Sequence, residues 1–430
     1  MTLIYRFLLS AIILIAANEL IFAQTQPWTK IQSPVSETLL NLSFVDSLTG
    51  WAACESGTII KTTDGGNSWE IQNSAVHTTI SDLCFADKNY GWALTLQDGF
   101  PFTSVIIKTS NGGTDWVAQN FPDTTVLLRT IFFFDSLNGF IGGSYIAYTS
   151  DGGKNWTEAN VDSNLFSNFP VYQFNFIDRQ FGYACGGRID IFGVVWRTTD
   201  SGLNWTSTGI SPDEIYDIYI FDSLNAVTLS GDPEGFFGIV NIKTTDAGIS
   251  WSSDELPFTG LSFAIDFRTY YEGWSASGYK FLLTTDRGET WEEFEPPDSA
   301  AVFDLQFTDA KNGYAVGENG VILKFDATSV GVKPELRIPD NYILYQNFPN
   351  PFNPSTKIRF QIPIFESVTL KIFDILGNEV SVLINESLHA GEYEFEFNAF
   401  TNNKHLVSVI YFYTLRAGKF SQTKKMVYLK

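Results

Sequence analysis

Cysteine, histidine and methionine are all scarce in this chain of 430 residues, at three, three and two. An odd count of Cys cannot form a fully paired disulfide framework. Cys54, Cys84 and Cys185 each lie in an apolar, strand-like run and read as small core residues. His77, His389 and His405 share no ligand spacing with one another or with cysteine, so neither a metal site nor a cofactor is expected. Basic side chains are also short, 27 Lys and Arg against 48 Asp and Glu, for a formal charge of −21. Such a surface repels phosphate backbones and anionic lipid, which argues against nucleic acid or bare membrane as partners.

Long apolar runs are absent except at the start. Met1 to Arg6 is followed by an apolar stretch from Phe7 to Ala17, polar Asn18-Glu19, and Ile21-Phe22-Ala23 before Gln24. That is the layout of a secretory signal peptide over residues 1–23, cut after Ala23. The stretch is short for a hydrocarbon layer of roughly 30 Å, and no later segment is a candidate span. The acidic excess is uneven. Residues 340–430 hold nine basic and eight acidic side chains, leaving 18 basic and 40 acidic in the rest.

What the chain has in abundance is a repeat. Thr-x-Asp-x-Gly-x-x-Trp or a near copy appears six times, 40 to 49 residues apart, from Thr62–Trp69 to Thr284–Trp291. Its third position is Asp64, Asn111, Asp151, Asp200, Asp246 and Asp286. This is the Asp-box, a turn between strands in which a short side-chain oxygen accepts hydrogen bonds from stranded backbone N–H groups. Spacing of this kind marks a β-propeller. The five carboxylates and the Asn111 amide are therefore structural, not a catalytic or calcium set.

Between boxes runs a second motif, Asp-x-x-x-Gly-aromatic, at Asp46, Asp87, Asp135, Asp178 and Asp309, weakened to Asp222 with Ala226 and Thr269 with Gly273. These turns number seven, so the expectation is a seven-bladed all-β propeller of four-stranded blades over residues 24–329. The seventh blade lacks a box, and Trp28 to Gln32 repeats the post-box register of Trp69 to Gln72. An N-terminal strand is thus predicted to close the ring and hide its open edge. Residues 330–341, with Gly331, Pro334 and Pro339, read as a linker. Beyond it, strands at Lys357–Gln361, Val368–Phe373, Tyr393–Phe397, Ile410–Leu415 and Thr423–Leu429 suggest a small Ig-like β-sandwich over residues 342–430.

Four segments of that last unit, Leu344 to Thr356, Leu370 to Gly377, Ala390 to Tyr393, and Tyr411-Phe412-Tyr413 through Met426, resemble the C-terminal sorting domain of the bacterial type IX secretion system. The resemblance implies export, the secretion machinery as a partner of residues 342–430, and a Bacteroidetes-type source with the product secreted or held at the cell surface. Phe44 to Trp51 with Thr62 to Trp69, and Phe85 to Trp92, resemble the repeats of the photosystem II assembly and stability factor family. That likeness implies the propeller and a binding role.

No catalytic residue is assigned. Three blades have long connections between their second and third strands, carrying Asp98, Phe100, Phe102, Asp190, Phe192, Asp232, Glu234, Phe236 and Phe237. Aromatics beside acids on loops are the expected surface for a protein or glycan ligand. The alternative is a secreted, sialidase-like glycoside hydrolase, since sialidases also carry Asp-boxes. A Tyr-Glu pair meeting clustered arginines would mark it, and the candidate arginines are Arg129, Arg188, Arg197 and Arg268.

Overall fold

A computed structural model describes residues 26–95, 100–327, 341–388, 391–399 and 410–429. The segment read as a signal peptide, nearly all of that read as a linker, and Asp98 lie outside the described residues. Seven antiparallel sheets follow one another, and their first strands touch in sequence to form a closed ring. Those first strands are Leu39–Phe44, Ile80–Phe85, Leu128–Phe133, Val171–Phe176, Ile215–Ile220, Ala264–Phe267 and Val302–Phe307. The chain is a seven-bladed propeller with these strands around its axis.

Trp28–Ile31 pairs antiparallel with Ile322–Phe325, from Trp28 opposite Phe325 to Ile31 opposite Ile322. The N-terminus thus supplies the outer strand of blade 7, as the repeated register predicts. The seam is also sealed at the axis. Asp304 Oδ2 accepts from the Leu42 amide at 2.6 Å and Gln306 Oε1 from the Phe44 amide at 2.7 Å. Blade 4 departs from the pattern, because Asn160–Val161 adds a fifth, parallel strand beside Asn204–Ser211.

The Gly-aromatic motif has a packing cause. Trp51 of blade 1 stacks on Phe85 of blade 2 at 3.5 Å between centroids, Trp92 stacks on Phe133 at 3.6 Å, and Tyr314 of blade 7 closes the series on Phe44 at 3.9 Å. Each such Phe also lies against the Gly of its own blade, so that a Cβ on Gly50 would sit 2.4 Å from the Phe44 ring. Blade 5, where Ala226 replaces that Gly, has Ile220 in place of the Phe. Gly and Phe are one paired choice.

Every Asp-box has one geometry. The Thr62 hydroxyl donates to Asp64 Oδ1 and accepts from the Gly66 amide, while Asp64 Oδ1 accepts from the Ser68 amide. Corresponding amide bonds in the other five boxes measure 2.8–3.0 Å, those of Asn111 included. The Thr is as much a part of the turn as the Asp, a role that reading the Asp alone overlooks. The fifth-position glycines all have positive φ, from 72° at Gly66 to 89° at Gly113, where a side chain would be strained.

The C-terminal unit is a sandwich of two sheets. One holds Ile343–Leu344, Ser355–Ile362 and Gly391–Asn398, and the other Glu379–Leu388, Glu366–Phe373, Ile410–Ala417 and Phe420–Val427. Glu379–Leu388 was not among the predicted strands. Its exposure alternates imperfectly, with Val382 exposed and only Ile384 and Leu388 fully buried, which blurs the two-residue period. Phe360, Leu370, Tyr413 and Met426 are among the buried side chains between the sheets. Among the described residues no helix is long and apolar enough to cross a membrane.

Candidate functional site

Antiparallel blades put two kinds of connection at opposite ends of the axis. The Asp-boxes and the Asp-x-x-x-Gly turns leave at one end, here the tight-turn end. Connections between second and third strands, and between blades, leave at the other, the loop end. The first strands run from the loop end to the tight-turn end, so register along them reads as depth in the channel.

The channel wall is polar by design of the first strands. Each strand is the inner edge of its sheet, and its unpaired amides need acceptors. Side chains of the preceding blade supply them. Asp82 Oδ2 accepts from the Thr130 hydroxyl at 2.7 Å and the Ile131 amide at 2.8 Å, Asp217 from the Ile265 amide at 3.0 Å, and Asp266 from the Phe307 amide at 2.7 Å. Burial pushes the carboxyl of Asp82 up to about 6 and those of Asp217 and Asp266 to about 7, and it raises that of Asp304 well above the ordinary carboxylate range. Asp217, Asp266 and Asp304, but not Asp82, line a cavity of about 740 Å³ toward the tight-turn end. Among the described residues no group of His, Cys, Asp and Glu is placed to hold a metal.

At the loop end, the position four residues before the last residue of successive first strands builds an arc. Tyr172 and Tyr216 stack at 5.6 Å, Phe263 lies 5.5 Å from Tyr216, and Phe303 lies 5.4 Å from Phe263. Arg129 holds the same register one blade earlier, its guanidinium 5.1 Å from the Tyr172 ring centre. Glu214, only 4% exposed, accepts hydrogen bonds from the hydroxyls of Tyr216 and, at 3.5 Å, Tyr172. Burial and the Glu214 charge push the Tyr172 phenol up to about 12, against the pull of Arg129 and Arg188. Tyr216 is raised further by burial and by its bond to Glu214. Both phenols stay protonated at neutral pH. This cluster was not predicted, although a shared register position on the first strands is a readable signal.

The predicted loop residues divide. Phe100, Phe236 and Phe237 stand out from the surface, at 75%, 77% and 66% exposed, and Glu234 is exposed beside them. Phe102 is half-buried, its ring 5.9 Å from that of Phe100. Asp190 is exposed, and its amide donates to Asp213. Asp232 corrects the expectation of a surface acid. It is 3% exposed, and its carboxylate accepts from the amides of Glu234, Phe236 and Phe237 at 2.7–3.0 Å, so it organises the loop from within. Phe192 packs against Phe166 and Phe169 of a neighbouring connection and leans on the fold more than it projects.

The four arginines do not converge. Arg129 and Arg188 act on Tyr172 at the loop end. Arg268 is buried at the tight-turn end, paired with Glu272 and donating to the Ala310 carbonyl at 2.8 Å. Arg197 lies over the Phe181 ring.

Comparison with known proteins agrees with this division of the chain. Residues 346–429 match the family model described as "Secretion system C-terminal sorting domain". The tail is a secretion sorting domain. Residues 20–78 match "Photosynthesis system II assembly factor YCF48", and a stretch of 44 residues is 43% identical to the photosystem II assembly protein Ycf48 of Thermosynechococcus vestitus. That stretch is 10% of this chain and spans only 13% of the relative's length. Among solved structures, YCF48 bound to D1 peptide is similar at a TM-score of 0.57 and 21% identity, covering 70% of this chain and 97% of that one. The GH74 xyloglucanase from Xanthomonas campestris is similar at 0.54 and 11%, covering 78% of this chain and 59% of that one. At these identities the structural likenesses show the fold. The chain is a propeller that carries a type IX secretion tail to the cell surface or beyond.

Proposed function

We propose that this is a non-enzymatic binding protein, acting outside a Bacteroidetes-type cell, that recognises a protein or glycan at the loop end of its propeller. The observation that carries the reading is Arg129. Its charge lies over Tyr172 at the end of an aromatic arc, without an ion-pair partner among the described residues, in a chain of strongly acidic balance. Half-exposed aromatic rings offer apolar area at low entropic cost, and an unpaired guanidinium adds direction to it. Exposed Phe100, Phe236 and Phe237 stand on the same end and extend that surface.

The Tyr216–Glu214 pair beside Arg129 favours a second reading, the glycoside hydrolase. Against it, Tyr216 is held protonated by burial and by Glu214, and Arg197 and Arg268 are engaged elsewhere. The test is retention of outer-membrane proteins and of arrayed glycans by the intact protein and by Arg129→Ala. Truncating a central anchor should cost about 2 kcal/mol of binding, or roughly 30-fold in affinity. Unchanged retention removes the mouth from the reading, and turnover of fluorogenic glycosides that Glu214→Gln abolishes replaces it with the enzyme.

A further inference from the structure

The turn of blade 6 breaks the repeat. At the position after the turn's first residue the blades carry Ser47, Lys88, Ser136, Arg179, Ser223, Tyr270 and Ala310, so an aromatic stands there once. In the same turn Thr269 replaces the Asp, its hydroxyl accepting from the Glu272 amide at 2.9 Å. Neither change improves the turn as a turn. Both sit where the C-terminal sandwich meets the propeller.

Tyr270 packs edge-on against Tyr393 of the sandwich, centroids 4.9 Å apart, and is held from behind by the Arg287 guanidinium at 4.3 Å. Gly391 approaches so closely that a Cβ there would lie 3.2 Å from the Tyr270 Cβ. One blade earlier, Glu386 accepts from the Ser223 amide at 3.0 Å. Burial at this contact raises the Glu386 carboxyl, the Ser223 bond opposing it. Across the axis, Ile364 and Phe365, in the connection between Ser355–Ile362 and Glu366–Phe373, line the channel cavity together with Asp46, Ser47, Asp309 and Ala310. The sandwich therefore spans turns of several blades and lies over the end of the channel.

We infer that the sorting sandwich is a built-in cap, which docks on the tight-turn end through Tyr270 and Ser223 and places Ile364 and Phe365 across the channel opening. While the tail is attached, Ile364 and Phe365 cover part of the acid-lined cavity at this end. Once the tail separates, that end of the cavity and the Tyr270 face are uncovered. The tail then has a second role besides addressing the protein for export. This inference is independent of which ligand the loop end binds.

The test uses the full chain with a specific protease site placed between residues 330 and 340. After cutting, the two pieces should co-elute on size exclusion at micromolar concentration, and hydrogen exchange at the Ser223 amide should remain slow. Tyr270→Ser, which copies the residue of other turns, combined with Glu386→Ala, should separate the pieces and speed Ser223 exchange about tenfold. The melting temperature of the propeller piece verifies that the variant is folded. If it is not, Glu386→Ala alone, on the sandwich side, must still speed Ser223 exchange. Separation of the pieces in the unsubstituted protein overturns the cap, as does a folded variant whose pieces stay together with unchanged exchange.

Discussion

Aspartate does the same work in two regions of this propeller and answers to pH in opposite ways. In the tight turns Asp46 accepts from the Leu48 and Thr49 amides, and in the channel Asp217 accepts from the Ile265 amide. The Lys88 ammonium and those amides hold the Asp46 carboxyl down to about 2, whereas burial carries Asp217 up to about 7. Water decides between them. A turn carboxylate keeps its solvation while gaining donors, and a channel carboxylate gives it up for one or two amides. The lesson extends to the whole ring, whose tight-turn end is a repeated, self-satisfied scaffold, while its axis and loop end hold groups under electrostatic or solvation stress.

The largest expected effect tests the scaffold. Trp51 is fully buried, stacks on Phe85 and donates from its indole N–H to the Gly112 carbonyl at 3.2 Å, tying blade 1 to the box of blade 2. Trp51→Ala should destabilise the propeller by about 3–5 kcal/mol, read as a large fall in melting temperature. A melting temperature within a degree or two of the parent would show that the stacked series does not hold the blades together.

Next comes the pH response of the channel. Between the ordinary carboxylate range near 4 and about 7, folded Asp217 and Asp266 keep protons that the unfolded chain has released. Their contribution is therefore full at acidic pH and is lost as pH rises through that window. We expect melting temperature to fall from pH 5 to pH 8, by the equivalent of about 1–2 kcal/mol per group after allowing for channel water. Asp46 runs the other way, its contribution being lost only as pH drops from about 4 toward about 2. A flat or rising profile between pH 5 and 8 would mean that the two kinds of aspartate are alike after all.

The smallest effect belongs to the loop end. Phe236→Ala removes a ring that is 77% exposed, so stability should move by less than about 0.5 kcal/mol in a thermal melt. A larger loss would show that the ring leans on its own blade, and would blur the contrast between the two ends.

These differences also explain what the residues disclosed in advance. Asp-boxes, Gly-aromatic turns and the N-terminal closing strand were legible because each is a local pattern copied from blade to blade, and copies reinforce one another. The parallel strand Asn160–Val161 and the cap contact at Tyr270 each occur once and join residues far apart in sequence, so no repetition signals them. The mouth cluster lies between. Arg129, Tyr172 and Tyr216 share a register that alignment of the blades would display, but their meeting with Glu214 depends on the ring's curvature. Among the loop residues, Phe236 is exposed and Asp232 is buried, because an acid followed by a loop serves as readily for internal bracing as for display.

The closing strand has a consequence for timing. Thr29 and Lys324, bonded across the seam, are 295 residues apart. A chain that leaves the ribosome or a membrane pore N-terminus first must carry Trp28–Ile31 unpaired until Ile322–Phe325 has followed it. Closing so long a loop is entropically slow, and it cannot begin early. The first strand to appear is thus the last to find its place, and the ring stays open for as long as its own end is still in transit.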